Sequence, residues 1–268
     1  MSVEPVPGVR GSSIPTGTEA LEASEVLRIA ADALGEDRLA IASSFGPEDI
    51  VLIDLLAEIV PKPRVFTLDT GRLPQETYDL MDQVRRRFGI EIEVYVPDAV
   101  RVEAMVRAKG LNLFYESVEN RRECCHVRKV EPLGRALSTL DGWVTGLRRE
   151  QSATRAAVPK LEEDPTRPGV WKVAPLADWS GDAVWSRIRE RDLPYNALHD
   201  RGYPSIGCAP CTRAVEPGED ERAGRWWWEA EGDRECGIHF DPRSGRMVRT
   251  RLPAVAGPFD ERPSGGPA

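Results

Sequence analysis

The chain has 268 residues, 41% of them hydrophobic, with a formal net charge of −8 at pH 7. That apolar content suffices for one large α/β domain and argues against global disorder. No apolar run nears the roughly 20 residues of a bilayer-spanning helix, and the N-terminus lacks the basic-then-apolar order of a secretory signal. The acidic balance argues against general nucleic-acid binding. The expectation is a cytoplasmic protein that binds neither membrane nor nucleic acid.

Residues 1–18 are rich in Pro, Gly and Ser, and a disordered N-terminus is expected there. Residues 19–34 carry apolar side chains at helical spacing. A short buried strand follows at residues 39–44, then the polar stretch Phe45-Gly-Pro-Glu-Asp and a helical pattern over residues 50–59. A second strand, residues 64–69, meets Thr70-Gly-Arg-Leu-Pro, with Pro74 suited to the first turn of a helix over residues 75–88. Residues 90–96 alternate like a strand and residues 99–109 read as a helix. Cys124 and Cys125 fall on a helix that begins before Arg121. Strands at residues 143–147 and 170–176 flank an arginine-rich loop, and a helix over residues 183–191 stops near Pro194. Strands alternating with helices imply an α/β fold, a mostly parallel sheet with helices on both faces. The main domain is expected to span residues 19–234, binding a nucleotide and a metal cluster. Residues 235–268 are expected to form a mobile C-terminal segment ending in a Pro/Gly-rich disordered tail.

In such a sheet, ligands sit beyond the carboxyl ends of the strands. Two polar turns fall on that edge. One runs through Ser43, Ser44, Phe45, Gly46, Glu48 and Asp49 and opens a helix, where backbone N–H groups and the helix dipole favour an anion. The other is Leu68, Asp69, Thr70, Gly71 and Arg72. The first lacks the lysine and glycine spacing of a triphosphate-binding loop; each alone is compatible with an ordinary turn, and together they suggest a nucleotide site. The arginines gather in knots at 121, 122 and 128, at 148, 149 and 155, and at 222 and 225. Local positive charge on an acidic protein fits a small anionic ligand, although any one of these side chains could simply be solvated.

The five cysteines comprise an adjacent pair, Cys124 and Cys125, a C-x-x-C at Cys208 and Cys211, and a single Cys236. One metal ion cannot easily take two adjacent thiolates in relaxed tetrahedral geometry. A [4Fe–4S] cube offers a separate iron corner to each. A zinc site and a thioredoxin-like use of the C-x-x-C stay open on spacing alone. Cys236 stands in the polar segment Glu235-Cys-Gly-Ile-His, where a thiolate could be reactive. Trp226, Trp227 and Trp228 are consecutive and cannot share one helix face, which disfavours an adenine-stacking platform.

These motifs resemble the assimilatory sulfonucleotide reductases, specifically the cluster-containing adenylyl-sulfate reductases. The resemblance runs over residues 39–239. It rests on Ser44-Phe-Gly-Pro-Glu-Asp, Leu68-Asp-Thr-Gly-Arg, Cys124-Cys-His-Val-Arg-Lys, Thr145-Gly-Leu-Arg-Arg-Glu-Gln-Ser, Cys208-Ala-Pro-Cys, Gly224-Arg-Trp-Trp-Trp-Glu and Glu235-Cys-Gly-Ile-His. It implies a fold like the adenine-nucleotide α-hydrolases, with a modified pyrophosphate loop over residues 43–49. It implies a [4Fe–4S] cluster on Cys124, Cys125, Cys208 and Cys211, and Cys236 as the nucleophile, on a segment that opens and closes. Reduction of adenylyl sulfate to sulfite and AMP follows, through an S-sulfocysteine released by thioredoxin or a similar dithiol protein. With four thiols on a cluster and one in the chemistry, the reductant must come from outside.

Two anions must meet in that reaction, so cations are required. The candidates are Lys129, Arg148, Arg149, Arg155, Arg222 and Arg225, with Gln151 beside them and His239 as a group that could organise the site. Competing readings are a reductase for the 3′-phosphorylated nucleotide (PAPS), a pyrophosphate-loop ATP-dependent transferase, which would call for a fuller Ser-Gly-Gly-x-Asp-Ser loop, and a zinc-stabilised binding module. A homo-oligomer is open.

Overall fold

A computed structural model of the chain describes residues 17–152, 155–164 and 167–229. The strands β1 (Leu39–Ala42), β2 (Arg64–Leu68), β3 (Ile92–Tyr95), β4 (Gly142–Val144), β5 (Leu161–Glu163) and β6 (Trp171–Val173) form one sheet in the order β3-β2-β1-β4-β6-β5. All pairings are parallel except that of β5 with β6. The sheet grows one way from β1 through β2 to β3, and the other way through β4. Neighbouring strands whose connections leave in opposite directions open a crevice at their carboxyl ends, and here that switch point lies between β1 and β4.

The alternation of side chains along each strand fills two layers. Leu39, Ile41, Val65, Val144 and Val173 face a core shared with α1 (Ala23–Leu34), α2 (Pro47–Ala57), α3 (Gln75–Phe88) and α7 (Gly181–Glu190). Ala40, Phe66 and Trp143 face the other side, against Leu133, Ala136 and Leu137 of α6 (Glu131–Leu137). Helices therefore cover both faces. α4 (Ala99–Lys109) and α5 (Val118–Cys125) pack in a third apolar cluster with Met105, Leu113, Phe114, Cys124 and Val127. No described helix is long and apolar enough to cross a membrane.

Several element ends differ from expectation for local reasons. The leading helix starts at Ala23, because Glu22 and Glu25 form a reciprocal capping box after a separate turn at Thr18–Ala20. Pro74 is the N-cap of α3, one position before the first turn, and Gly89 ends that helix in the left-handed conformation at φ 64°. β5 escapes the alternation rule. Its sequence Leu161-Glu-Glu is mostly charged, and Lys172 of β6 pairs with Glu162 across the antiparallel edge at 3.3 Å.

α5 runs directly into a π-turn at His126–Val130 and then into α6. Such insertions re-aim side chains and recur at functional sites. The end of the described chain is tied to α5. Arg121, fully buried, makes two bonds of 2.8 Å to Glu229. The Trp226 ring lies between the guanidinium groups of Arg121 (4.6 Å) and Arg225 (4.9 Å).

Candidate functional site

The crevice between β1 and β4 holds a cavity of about 280 Å³. The turn after β1 forms one wall with Ser43, Ser44, Gly46, Glu48 and Asp49, and Thr145, Gly146 and Leu147 follow β4. Leu68 and Thr70 enter from β2, Lys129 from the π-turn, Gln151 and Arg155 from the arginine-rich loop, and Arg222 and Arg225 from the last described turn. Thus twelve residues expected at the site do meet there.

The β1 turn is held by its own side chains. Phe45 adopts a positive φ of 61°, costly for a bulky residue. Its ring is 2% exposed and packs in the core, so it anchors the turn and does not line the cavity. Asp49 Oδ2 accepts from Ser44 N at 2.6 Å and Ser44 Oγ at 2.9 Å. The turn therefore gives a backbone N–H expected for an anion to a protein carboxylate. A side chain at Gly146 would bring its Cβ within 2.7 Å of Asp49 Oδ1, so glycine is required where β4 passes this turn.

Burial pushes the Asp49 carboxyl from 3.8 up to about 6, against the lowering effect of the Ser44 bonds and with help from the Glu48 charge. The native carboxyl thus keeps its proton to higher pH than the unfolded chain does. That favours the folded state below about pH 4, and the advantage is lost as pH rises from 3.8 through about 6. Asp49→Asn removes this titration. Across that interval the wild type is expected to lose on the order of 2 kcal/mol relative to the variant. The measurement is the melting temperature of both proteins from pH 4 to 7; a difference that does not change with pH contradicts the assignment.

Arg148 is buried behind the wall, where its Nε bonds Glu48 Oε1 at 2.8 Å, and it does not reach the cavity. Gln151 Nε2 also donates to Glu48 Oε1, at 3.1 Å, and its Oε1 accepts from Arg148 N and from Arg155. Arg149 turns away, pairing with Glu19 and donating to the Val158 carbonyl at 3.0 Å. On the β2 side, Asp69 is occupied by Gly71 N and the Tyr78 hydroxyl, each at 2.8 Å. Gly71 supplies the left-handed φ of 68° for that turn. Arg72 bonds Asn112 and the Leu111 carbonyl and lies over Phe114 at 5.2 Å. Asp69, Gly71 and Arg72 therefore shape the turn beside the cavity without lining it.

Thr70 joins the cavity to the cysteines. Its Oγ1 lies 3.3 Å from Cys208 Sγ, and its carbonyl accepts from Arg128 at 2.6 Å. Cys208 and Cys211 flank a tight turn fixed by Ala209 N donating to the Arg72 carbonyl at 2.8 Å. Burial raises the Cys124 thiol and pushes Cys211 up to about 12; the neighbouring cysteines add to the rise at both, while Lys129 opposes it. Soft sulfur donors that resist ionisation together match a polynuclear cation that would compensate several thiolates at once. Among the described residues, no three His, Cys, Asp or Glu side chains are drawn together closely enough to hold a single ion.

Arg225 enters the cavity past Gly207, where a Cβ would lie 2.2 Å from its Nη2, and its Nη1 bonds Ser205 Oγ at 3.2 Å. None of Trp226, Trp227 and Trp228 lines the cavity. Cys236 and His239 lie outside the described residues. Residues not expected at the site include His199 and the segment 204–207, which line the cavity. Their sequence context carries no chemical spacing that could have singled them out.

A mostly parallel six-stranded sheet with helices on both faces and a cavity at its switch point defines the adenine-nucleotide α-hydrolase-like fold. FMN adenylyltransferase from Candida glabrata shares that fold at 13% identity, with a TM-score of 0.51 over 82% of this chain and 78% of its own. The family model for the phosphoadenosine phosphosulfate reductase domain matches residues 38–214, and the chain belongs to that family. It is 53% identical over 205 residues to the adenosine 5′-phosphosulfate reductase of Burkholderia cepacia, covering 76% of this chain and 81% of that one. The protein of the same name from Allochromatium vinosum is 52% identical over 210 residues, covering 77% and 82%. The crystal structure of phosphoadenylyl-sulfate reductase from Candida auris has a TM-score of 0.61 at 29% identity, over 73% of this chain and 91% of that one.

Proposed function

We propose that this protein reduces adenylyl sulfate to sulfite and AMP in sulfate assimilation, with the nucleotide in the β1–β4 cavity and the sulfonate turned toward Lys129, Arg222 and Arg225. The observation that carries the reading is the identity of about half the aligned residues with proteins named for that reaction.

The Cys236 thiolate attacks the sulfate sulfur, a new S–S bond forms, and the S–O bond to the phosphate breaks with AMP as leaving group. The S-sulfocysteine is then attacked by one thiol of a reduced dithiol protein, thioredoxin or similar. Sulfite departs, and the second thiol of the partner resolves the mixed disulfide. The partner loses two electrons and the sulfate sulfur gains them, which balances the step. Cys236 lies seven positions beyond Glu229, and an extended chain of that length reaches at most about 25 Å. Glu229 is tied down by Arg121, and Arg225 lines the cavity, which supports the assignment of Cys236 to the site. His239 is assigned to the same segment as a group that organises the thiolate.

Cys124, Cys125, Cys208 and Cys211 would hold a [4Fe–4S] cluster. Through these four residues the end of α5 and the C-x-x-C turn would be tied together, and the cluster would supply fixed positive charge to balance their thiolates. The four described cysteines form no disulfide, which suits a reducing compartment such as the cytoplasm.

The name of the Candida auris structure favours a second reading, reduction of the 3′-phosphorylated nucleotide. Turnover of both nucleotides by the holoenzyme with reduced thioredoxin decides between them. Faster sulfite release from adenylyl sulfate is expected; a preference for the 3′-phosphorylated form selects the second reading, and no sulfite from either overturns both.

A further inference from the structure

His199 opens a short turn, His199–Arg201, just before the C-x-x-C segment, and lines the cavity. Its ring stands edge-on to Trp185, with centroids 5.2 Å apart, so packing fixes its orientation. Burial pushes the His199 ring toward its neutral form, against the raising effects of the Glu48 charge and of the Tyr203 main chain. Nε2 is buried and has no hydrogen-bond partner. With the proton on the other nitrogen, Nε2 offers only a lone pair. An isolated buried acceptor is costly to a folded protein, and such atoms call for an explanation in function.

Ala42, Phe66, Leu133 and Trp143 pack together and give the lining an apolar wall suited to a flat base, whereas Ser43, Glu48, Asp49, Ser205 and His199 give it a polar part. His199 is close enough to Glu48 to feel its charge. An adenine nucleotide carries hydrogen-bond donors only at the exocyclic amine and the two ribose hydroxyls. With the base on the apolar wall, the hydroxyls remain for the polar one.

We propose that His199 Nε2 accepts a hydrogen bond from a ribose hydroxyl of the bound nucleotide, so that His199 is a substrate-binding residue that reads the sugar edge. This rests on the nucleotide reading given above. One consequence concerns selectivity. If the hydroxyl is the 3′ one, a phosphate ester there removes the donor and brings an anion toward Glu48.

The test is equilibrium binding of AMP, 2′-deoxy-AMP, 3′-deoxy-AMP and IMP to the full-length protein and to His199→Phe, which keeps a ring against Trp185 and lacks the acceptor. The wild type is expected to bind one deoxy nucleotide about 5- to 20-fold more weakly than AMP. The variant is expected to bind AMP more weakly by a similar factor and no longer to distinguish it from that analogue. Discrimination unchanged in the variant overturns the role of His199 and leaves the nucleotide reading standing. Loss of discrimination against IMP alone places the acceptor on the adenine amine and overturns the ribose assignment. If His199→Phe does not fold, the wild-type series still decides, because equal binding of AMP and both deoxy nucleotides rules out a hydroxyl contact. Absence of AMP binding by the wild type defeats the nucleotide reading itself.

Discussion

Cys236→Ser is expected to lower sulfite formation by at least roughly a thousandfold while AMP binding persists, because loss of a covalent nucleophile removes the chemical step and spares the binding surface. Of the five cysteines in the chain, two flank the turn that Thr70 joins to the cavity and two end α5. A hydroxyl in place of the remaining thiol ionises far too weakly to attack sulfate at neutral pH. Sulfite release and AMP affinity, measured on the same preparation, separate this effect from misfolding. Equal loss of both contradicts a role confined to chemistry.

Lys129→Ala is expected to reduce kcat/KM by about 10²- to 10³-fold with the absorbance of the proposed iron–sulfur cluster retained. The π-turn carries Lys129 into the cavity, and the same ammonium acts on Cys124 and Cys211. It therefore lines the cavity within electrostatic reach of the cysteines, where the proposed reaction brings the sulfonate and an incoming thiolate together. Lys129→Arg, which keeps the charge but not the shape, is expected to recover part of the loss. Unchanged sulfite production in the alanine variant removes Lys129 from the mechanism.

The parallel core was readable from sequence because each strand is a short apolar run followed by a helical period, and that pattern admits few other layer arrangements. β5 was not, since its single leucine and two glutamates are stabilised by a partner on β6. The site was legible where residues stand on turns at the carboxyl edge, as with Ser43, Ser44 and Thr70. It was illegible where orientation depends on distant partners. Arg148 and Arg149 are adjacent, yet one is drawn inward by Glu48 and the other outward by Glu19. Neither acidic residue is near them in sequence. Phe45 shows the same limit, because nothing in the polar string around it reveals that its ring turns into the core. His199 reaches the cavity by packing on Trp185, a contact that no local motif encodes.

Intact-protein and peptide mass spectrometry after incubation of the holoenzyme with adenylyl sulfate, in the absence of any thiol reductant, reads the covalent step directly. One SO₃ adduct per chain is predicted, located on Cys236 and discharged as sulfite when reduced thioredoxin is added. An unmodified Cys236 alongside AMP release, or an adduct on another residue, would contradict the account.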